Sequence, residues 1–139
     1  MKTRKKIAFV DQTMAVNVYD LASDAVRTIT RDLQLFHGGL AAWLAAWSAD
    51  GRWLTFSRSD ERTLNGAIFL YDTRNDKLHQ VTSGYYNDRR PVFDPDGKYL
   101  YFATSRDFSP AYGDVDNSWI YGNTTQLAAV PLECRFRVP

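Results

Sequence analysis

The fold of this chain is predicted from one stretch, Trp47-Ser48-Ala49-Asp50-Gly51-Arg52-Trp53-Leu54-Thr55-Phe56. An aromatic residue ends one strand, an Asp-Gly turn follows, and a second apolar strand begins directly after the turn. The same pattern returns 46 residues later as Phe93-Asp94-Pro95-Asp96-Gly97-Lys98-Tyr99-Leu100-Tyr101-Phe102. A repeat of this period, built from short strands, is typical of β-propeller blades.

The outer strands repeat as well, since the segments 67–72 and 78–82 have earlier copies at 18–21 and 26–30. We therefore predict an all-β fold, a partial β-propeller of about three four-stranded antiparallel blades whose first and last are incomplete. No strand with an Asp-Gly turn precedes Ile7, so the first blade is expected to begin in its second strand. The whole chain, 1–139, is interpreted as a single partial propeller, with its blades at 6–30, 42–82 and 89–138.

Two segments depart from the simple repeat. The alanine-rich residues 41–46 have helical propensity, but small side chains also suit an innermost strand near a crowded propeller axis, which we favour. In the third blade, residues 105–125 form an inserted loop, and such long loops in compact repeats are usually functional. The last residues, 134–139, are expected to supply an outer strand at best.

The composition argues against several classes of function and location. The 17 basic and 16 acidic residues leave a net charge of +1, so nothing steers the chain toward nucleic acid or an anionic membrane. No apolar run approaches the roughly 20 residues that span a bilayer. The basic start is followed by only four apolar residues, 7–10, too few for a secretory signal, and we expect a cytoplasmic location. Cys134 is the single cysteine, so no intrachain disulfide forms.

No catalytic, cofactor or metal site is predicted. The chain has no Gly-x-Ser-x-Gly nucleophile motif. Residues 114–117 are similar to a calcium loop, but Trp119 stands where that loop requires glycine. Turn chemistry explains Asp94 and Asp96. The tryptophans are expected to be core residues: Trp43, Trp47, Trp53 and Trp119.

Five residues are candidates for contact with a peptide or a propeller channel. Arg89 and Arg90 precede the innermost strand of the third blade, where a guanidinium pair could hold a peptide carboxylate through bidentate hydrogen bonds. The alternative is a solvated pair that answers Asp88 and Asp94.

The other three candidates are one histidine and two tyrosines. His37 precedes Gly38-Gly39, whose backbone allows close approach and could present His37 toward the channel, although a simple tight turn is the favoured explanation. Tyr85 and Tyr86 are placed either to touch a substrate or to pack between blades.

These repeats resemble a known family. Residues 48–54 and 93–102 are similar to the Pro-Asp-Gly β-propeller repeats of TolB and the tricorn proteases. Residues 35–42, 67–72, 83–86, 116–121 and 125–132 resemble the second propeller of bacterial tricorn protease homologues, and the insertion is the most specific part.

The resemblance implies a fragment of a large serine peptidase that cuts short peptides. Its propellers are non-catalytic and are expected to form a peptide passage and part of the assembly, so no catalytic residue is carried over to this chain. The implied partners are peptides, the remaining blades and the peptidase domains.

The alternative is a stand-alone TolB-like or WD-like interaction propeller. Three blades cannot close a ring, and their open strand edges would favour self-association that completes it.

Overall fold

All regular structure in the described part of the chain is β. The computed structural model describes residues 5–33, 43–106, 110–112, 119–121 and 125–132, and it shows twelve strands and no helix in these ranges. The strands are β1 (Lys6–Val10), β2 (Ala15–Asp20), β3 (Ala25–Arg31), β4 (Ala45–Trp47), β5 (Trp53–Ser59), β6 (Gly66–Asp72), β7 (Lys77–Gln80), β8 (Asp88–Phe93), β9 (Tyr99–Thr104), β10 (Pro110–Tyr112), β11 (Trp119–Tyr121) and β12 (Gln126–Pro131).

The strands form three antiparallel sheets and a small ribbon. The sheets have the orders β1-β2-β3, β4-β5-β6-β7 and β12-β9-β8, and the ribbon pairs β10 with β11. Among the described residues only the second sheet has four strands. The predicted all-β partial propeller, with about three antiparallel blades and incomplete first and last members, is thus confirmed.

The two ambiguous segments have different outcomes. Within the alanine-rich segment, Ala45–Trp47 is strand β4 and pairs with β5, as favoured above. In the third sheet β12 pairs with β9 from Gln126 opposite Thr104 onward, so the sheet continues past the insertion. The predicted outer strand at 134–139 lies outside the described residues.

The two Asp-Gly turns share one geometry, which explains why the strands repeat. The N–H of Gly51 donates to the carbonyl of Ser48, and that of Gly97 donates to the carbonyl of Asp94, each at 2.9 Å. Both glycines have a φ of +71°, a left-handed conformation that favours glycine. Each turn reverses the chain between an inner strand and the next strand of the sheet.

The second sheet lies between two apolar clusters. Toward the first sheet, Phe56 and Phe69 stack with ring centroids 6.1 Å apart, and Val16 packs in the same cluster. Toward the third sheet, Ile68 packs with Leu100 and Phe102, all at most 1% exposed. Because successive residues of β6 point to opposite faces, this one strand supplies both clusters.

The tryptophans divide between core and surface. Trp43 and Trp47 pack against the cluster between the first two sheets. Trp53 belongs to neither cluster and is only half-buried, with the guanidinium of Arg52 4.8 Å above its ring. The expectation that Trp53 is a core residue was therefore wrong, and the side chain of Trp119 lies outside the description.

Candidate functional site

A groove of about 410 Å³ opens at the start of β8, where it meets the end of β5 and the start of β6. Arg58, Arg89 and Arg90 line it together with Asp32, the single carboxylate in the lining, and Trp43 contributes an aromatic wall. Three cationic side chains against one anionic side chain make this groove a candidate site for an anionic group.

A β-bulge places both arginines of β8 in the same groove. Regular strands alternate their side chains, yet Arg89 and Arg90 are consecutive and both exposed, between buried Asp88 and Pro91. The register with β9 shifts between Arg89 and Val92. Bulges of this kind re-aim side chains and are common beside functional sites.

The bulge strains the backbone at Arg90. Its φ is +55°, a left-handed conformation that costs a non-glycine residue about 1–3 kcal/mol. Such strain persists only where the surrounding structure enforces it. The backbone strain at Arg90 therefore lies at the same place as the exposed positive charges of Arg89 and Arg90.

Neither Arg89 nor Arg90 forms an ion pair within the described part of the chain. The alternative prediction placed them opposite Asp88 and Asp94. Asp88 is 1% exposed, and its Oδ1 has no hydrogen-bond partner among the described residues. The Oδ2 of Asp94 instead accepts a hydrogen bond of 3.2 Å from the N–H of Lys98. The two guanidinium groups thus remain available to a ligand.

Arg58 forms a fixed wall of the groove, a role that was not predicted from the sequence. Its guanidinium lies 4.5 Å from the ring centroid of Phe69, and its Nη1 donates to the Oγ1 of Thr30 at 2.6 Å. Its Nη2 is 3.6 Å from the carboxylate of Glu61. A charged residue near the end of an apolar strand was the only signal in the sequence.

A hydrogen-bonded scaffold holds the linker that leads into β8. The Nδ2 of Asn65, just before β6, donates to the carbonyls of Gly84 and Tyr85, each at 3.1 Å. The Oγ1 of Thr63 donates to the Gly84 carbonyl at 2.6 Å. The N–H of Gly66 donates to the Oδ1 of Asn87 at 3.0 Å. The turn between β5 and β6 therefore sets where β8 begins.

Asp60 is the centre of that turn. Its Oδ1 accepts hydrogen bonds from the N–H groups of Arg62 and Thr63 at 3.0 and 3.2 Å, and its Oδ2 accepts one from Gln80 Nε2 at 3.0 Å. The Gln80 amide, followed by the Arg62 N–H, lowers the pKa of Asp60. Gly84 packs directly on this carboxylate, with a φ of +74°.

The remaining candidates are not part of the groove lining. Tyr85 is 73% exposed, so it does not pack between blades. Its ring meets that of Tyr86 edge to face at 5.0 Å, and the guanidinium of Arg106 lies 5.3 Å from the Tyr86 ring centroid. Both tyrosines lie on the linker just before the arginines. His37 lies outside the described residues.

Other kinds of site receive no support from the described residues. In these ranges no three histidine, cysteine, aspartate or glutamate side chains come close enough to hold a metal ion. The same part of the chain contains no helix with the length and hydropathy needed to cross a membrane.

Known proteins share both the sequence pattern and the fold. No protein-family model matches the sequence. The chain is 38% identical over 66 residues to the tricorn protease of Thermoplasma volcanium, an alignment that covers 48% of this chain and 6% of that protein. It is 39% identical over 93 residues to tricorn protease homolog 2 of Streptomyces coelicolor. That alignment covers 65% of this chain and 7% of the relative. The predicted resemblance to tricorn proteases is confirmed.

Solved structures support the same fold. The tricorn protease crystal structure superposes with a TM-score of 0.76 at 20% identity, over 92% of this chain and 12% of that one. TolB from Acinetobacter baumannii superposes with a TM-score of 0.53 at 24% identity, over 84% of this chain and 29% of the TolB chain. The chain is thus a tricorn-like and TolB-like propeller region, and it spans 6 to 7% of the length of the two tricorn relatives above.

Proposed function

We propose that this chain is a non-catalytic propeller segment of a tricorn-like serine peptidase, and that its arginine groove binds the carboxylate end of short peptides during their passage. The observation that carries the proposal is the pair Arg89 and Arg90, both turned by a bulge into one groove and both without an acidic partner among the described residues. The tricorn relatives supply the peptidase context.

The chemistry of the groove suits a carboxylate. A guanidinium presents parallel N–H donors that match the two oxygens of a carboxylate, and such charge-assisted pairs are stronger than neutral hydrogen bonds. The groove volume of about 410 Å³ falls within the range of small-ligand sites and admits the end of a peptide. Arg58 adds a third cation that is already held in place by Thr30 and Phe69.

Fluorescence anisotropy with a labelled tripeptide tests this binding. The tripeptide with a free C-terminal carboxylate should bind at least roughly tenfold more tightly than its C-terminal amide, because charge-assisted hydrogen bonds are lost with the charge. The difference should shrink as salt is added. Equal affinity for acid and amide would contradict the proposal.

Matched variants locate the site. Replacing Arg89 and Arg90 together with alanine should abolish the preference for the free carboxylate. Arg27→Ala is the control, because Arg27 pairs with Asp76 on the surface and does not line the groove. Loss of the preference in the control as well would show that general charge, rather than this groove, holds the peptide.

The non-catalytic part of the proposal has its own test. The purified chain should not hydrolyse short fluorogenic peptides, and turnover that a serine-directed inhibitor blocks would overturn the proposal. The proposed partners are peptides and the remaining blades and peptidase domains of a parent protein in the cytoplasm. Sequencing the flanking DNA in all frames should reveal coding sequence for those blades and domains.

A second candidate is an interaction propeller that completes its ring by self-association. Exposed apolar side chains favour it: Ile7 and Val26 on the first sheet are 51% and 60% exposed, and Val92 and Leu127 on the third are 51% and 77% exposed. Covering both faces would remove this surface from water. Light scattering that shows a stable monomer would exclude this candidate.

A further inference from the structure

The first sheet repeats the plan of the second, and hydrogen bonds set the correspondence between them. The N–H of Leu21 donates to the carbonyl of Lys5 at 2.8 Å, where β1 and β2 meet. The N–H of Thr73 donates to the carbonyl of Arg52 at 3.1 Å, at the same place between β5 and β6. Strand β1 therefore corresponds to β5.

The following turns confirm this correspondence. Met14 and Leu64 have φ values of 64° and 62°, and their N–H groups donate to the carbonyls of Asp11 and Asp60, each at 2.9 Å. The second turn is one residue longer, since the N–H of Asp11 donates to the carbonyl of Ala15 and that of Asp60 donates to the carbonyl of Asn65. Strand β5 is also two residues longer than β1, but both turns return the chain along the preceding strand.

The corresponding edges of β1 and β5 differ in their occupancy. On β5 this edge pairs with β4, with Ala45, Ala46 and Trp47 opposite Phe56, Thr55 and Leu54. Within the described part of the chain β1 pairs with β2 alone. An open edge of this kind is a template for another strand.

The polar backbone groups on that edge of β1 can be assigned. The carbonyl of Lys5 points toward β2, so the N–H and C=O groups of residues 6, 8 and 10 point to the open edge. The second sheet shows the same arrangement, since the carbonyl of Trp53 accepts a 2.9 Å hydrogen bond from Ser48 on the β4 side. Ala8 thus offers one donor and one acceptor to an added strand.

A second groove runs along this edge. It has a volume of about 500 Å³ and lies between Lys6, Ile7 and Ala8 of β1 and the side chains around β4, with Trp43 and Trp47 as its largest apolar walls. A strand of three residues, the length of β4, extends about 10 Å. The indole rings restrict the space, and small side chains fit beside them.

We propose that the open edge of β1 binds an extended peptide strand, antiparallel to β1, with two small residues followed by an aromatic residue as in Ala45–Trp47. The mode is β-strand addition, in which backbone hydrogen bonds supply affinity and side-chain pockets supply specificity. The occupant is defined by what the same edge of β5 already binds. Arg58, Arg89 and Arg90, which line the first groove, do not line this second groove beside β1.

A synthetic peptide of residues 45–51, acetylated at its N-terminus and amidated at its C-terminus, tests the proposal on the full chain. The amide leaves no free carboxylate end for the groove lined by Arg58, Arg89 and Arg90. Its binding should slow hydrogen exchange at residues 6–10 in a saturable manner. The control is the same peptide with Ala46→Pro. The N–H of Ala46 faces the same way as that of Ser48, so proline removes one bond of the added ladder. The control should bind roughly tenfold more weakly.

A chain variant supplies a second control. Ala8→Pro removes a donor from the open edge and leaves the ladder with β2 intact, so it should fold and lose the peptide. A circular-dichroism melt checks that the variant folds. The Arg89→Ala chain should keep the peptide, which separates this site from the arginine groove.

Three results would overturn the proposal. The first is unchanged exchange at residues 6–10 when the peptide is present. The second is equal binding of the alanine and proline peptides. The third is protection at β3 or β12 instead of β1.

Discussion

Gly84→Ala should be among the most damaging small substitutions in the chain, and its cost can be separated into two parts. Gly84 has a φ of +74°, and a Cβ added to it would lie 2.4 Å from the Cβ of Asp60 and 2.7 Å from its Cγ. Asp60 cannot move without disturbing the hydrogen bonds from Arg62 and Gln80. The substitution thus strains the backbone and displaces the scaffold below the arginine groove.

The magnitude follows from the two effects. A left-handed backbone costs alanine about 1–2 kcal/mol relative to its favoured conformation. Forcing an extra methyl group into a packed site costs about 1–3 kcal/mol more. The free energy of unfolding should therefore fall by about 2–5 kcal/mol, a large share of the stability of a small domain.

Gly97→Ala is the matched control. Gly97 has a φ of +71°, but an added Cβ would meet nothing within 4 Å. This variant should lose only the backbone part, about 1–2 kcal/mol. Urea denaturation of the two variants and the original chain, followed by circular dichroism, measures both losses.

Two outcomes of these urea measurements would contradict the prediction for Gly84. If the two variants lose the same stability, the contact between Gly84 and Asp60 is not tight, and the scaffold does not depend on it. If Gly97→Ala loses more than Gly84→Ala, the cost of these positions is not set by space around the Cβ.

Three further predictions concern the core, the acid limb and the bulge. Phe56→Ala should lower the free energy of unfolding, measured in urea, by about 3–5 kcal/mol, because Phe56 is fully buried. Trp53→Ala should lower it by less, because Trp53 is only half-buried. The reverse order would contradict the packing of these two residues. Hydrogen bonds, of which the one from the Thr13 side chain has the largest effect, lower the pKa of Asp11 from 3.8 to about 2. The ionised Asp11 therefore stabilises the fold fully above pH 3.8, and this stabilisation is lost as the pH falls toward 2. Asp11→Asn should therefore make the fall of the melting temperature between pH 3.8 and pH 2 smaller than in the original chain, and an unchanged fall would exclude this role. Arg90→Gly should raise the free energy of unfolding by about 1 kcal/mol in urea while it weakens carboxylate binding in the anisotropy assay, and a lower value would show that the φ of +55° is not strained.

Much of the fold was accessible from the sequence because its determinants are local. Asp-Gly turns restrict φ and close hairpins whatever surrounds them, and period-two apolar strands follow each turn. The repeat carried the assignment through three sheets. The segment around Ala45–Trp47 could not be decided by propensity, since alanine favours helices, and pairing with β5 settled it.

Burial was harder to predict than strand position. Trp53 looks like Phe56 in the sequence, since both are aromatic residues of one apolar strand. Which of them meets a neighbouring sheet depends on how the sheets stack, and a half-exposed Trp53 under Arg52 is a result of that stacking. The stacking of the sheets cannot be read from the residues of this one strand.

The candidate site shows the same division. The propeller class, its turns and two adjacent arginines at the inner strand of the third sheet can be predicted from the sequence, because these features depend on neighbouring residues. The bulge that turns Arg89 and Arg90 to one side, and the position of Arg58 in the same groove although it lies 31 residues before Arg89, are visible only in the folded chain. Contacts between distant residues follow from chain packing, and packing is a property of the whole fold rather than of any single stretch.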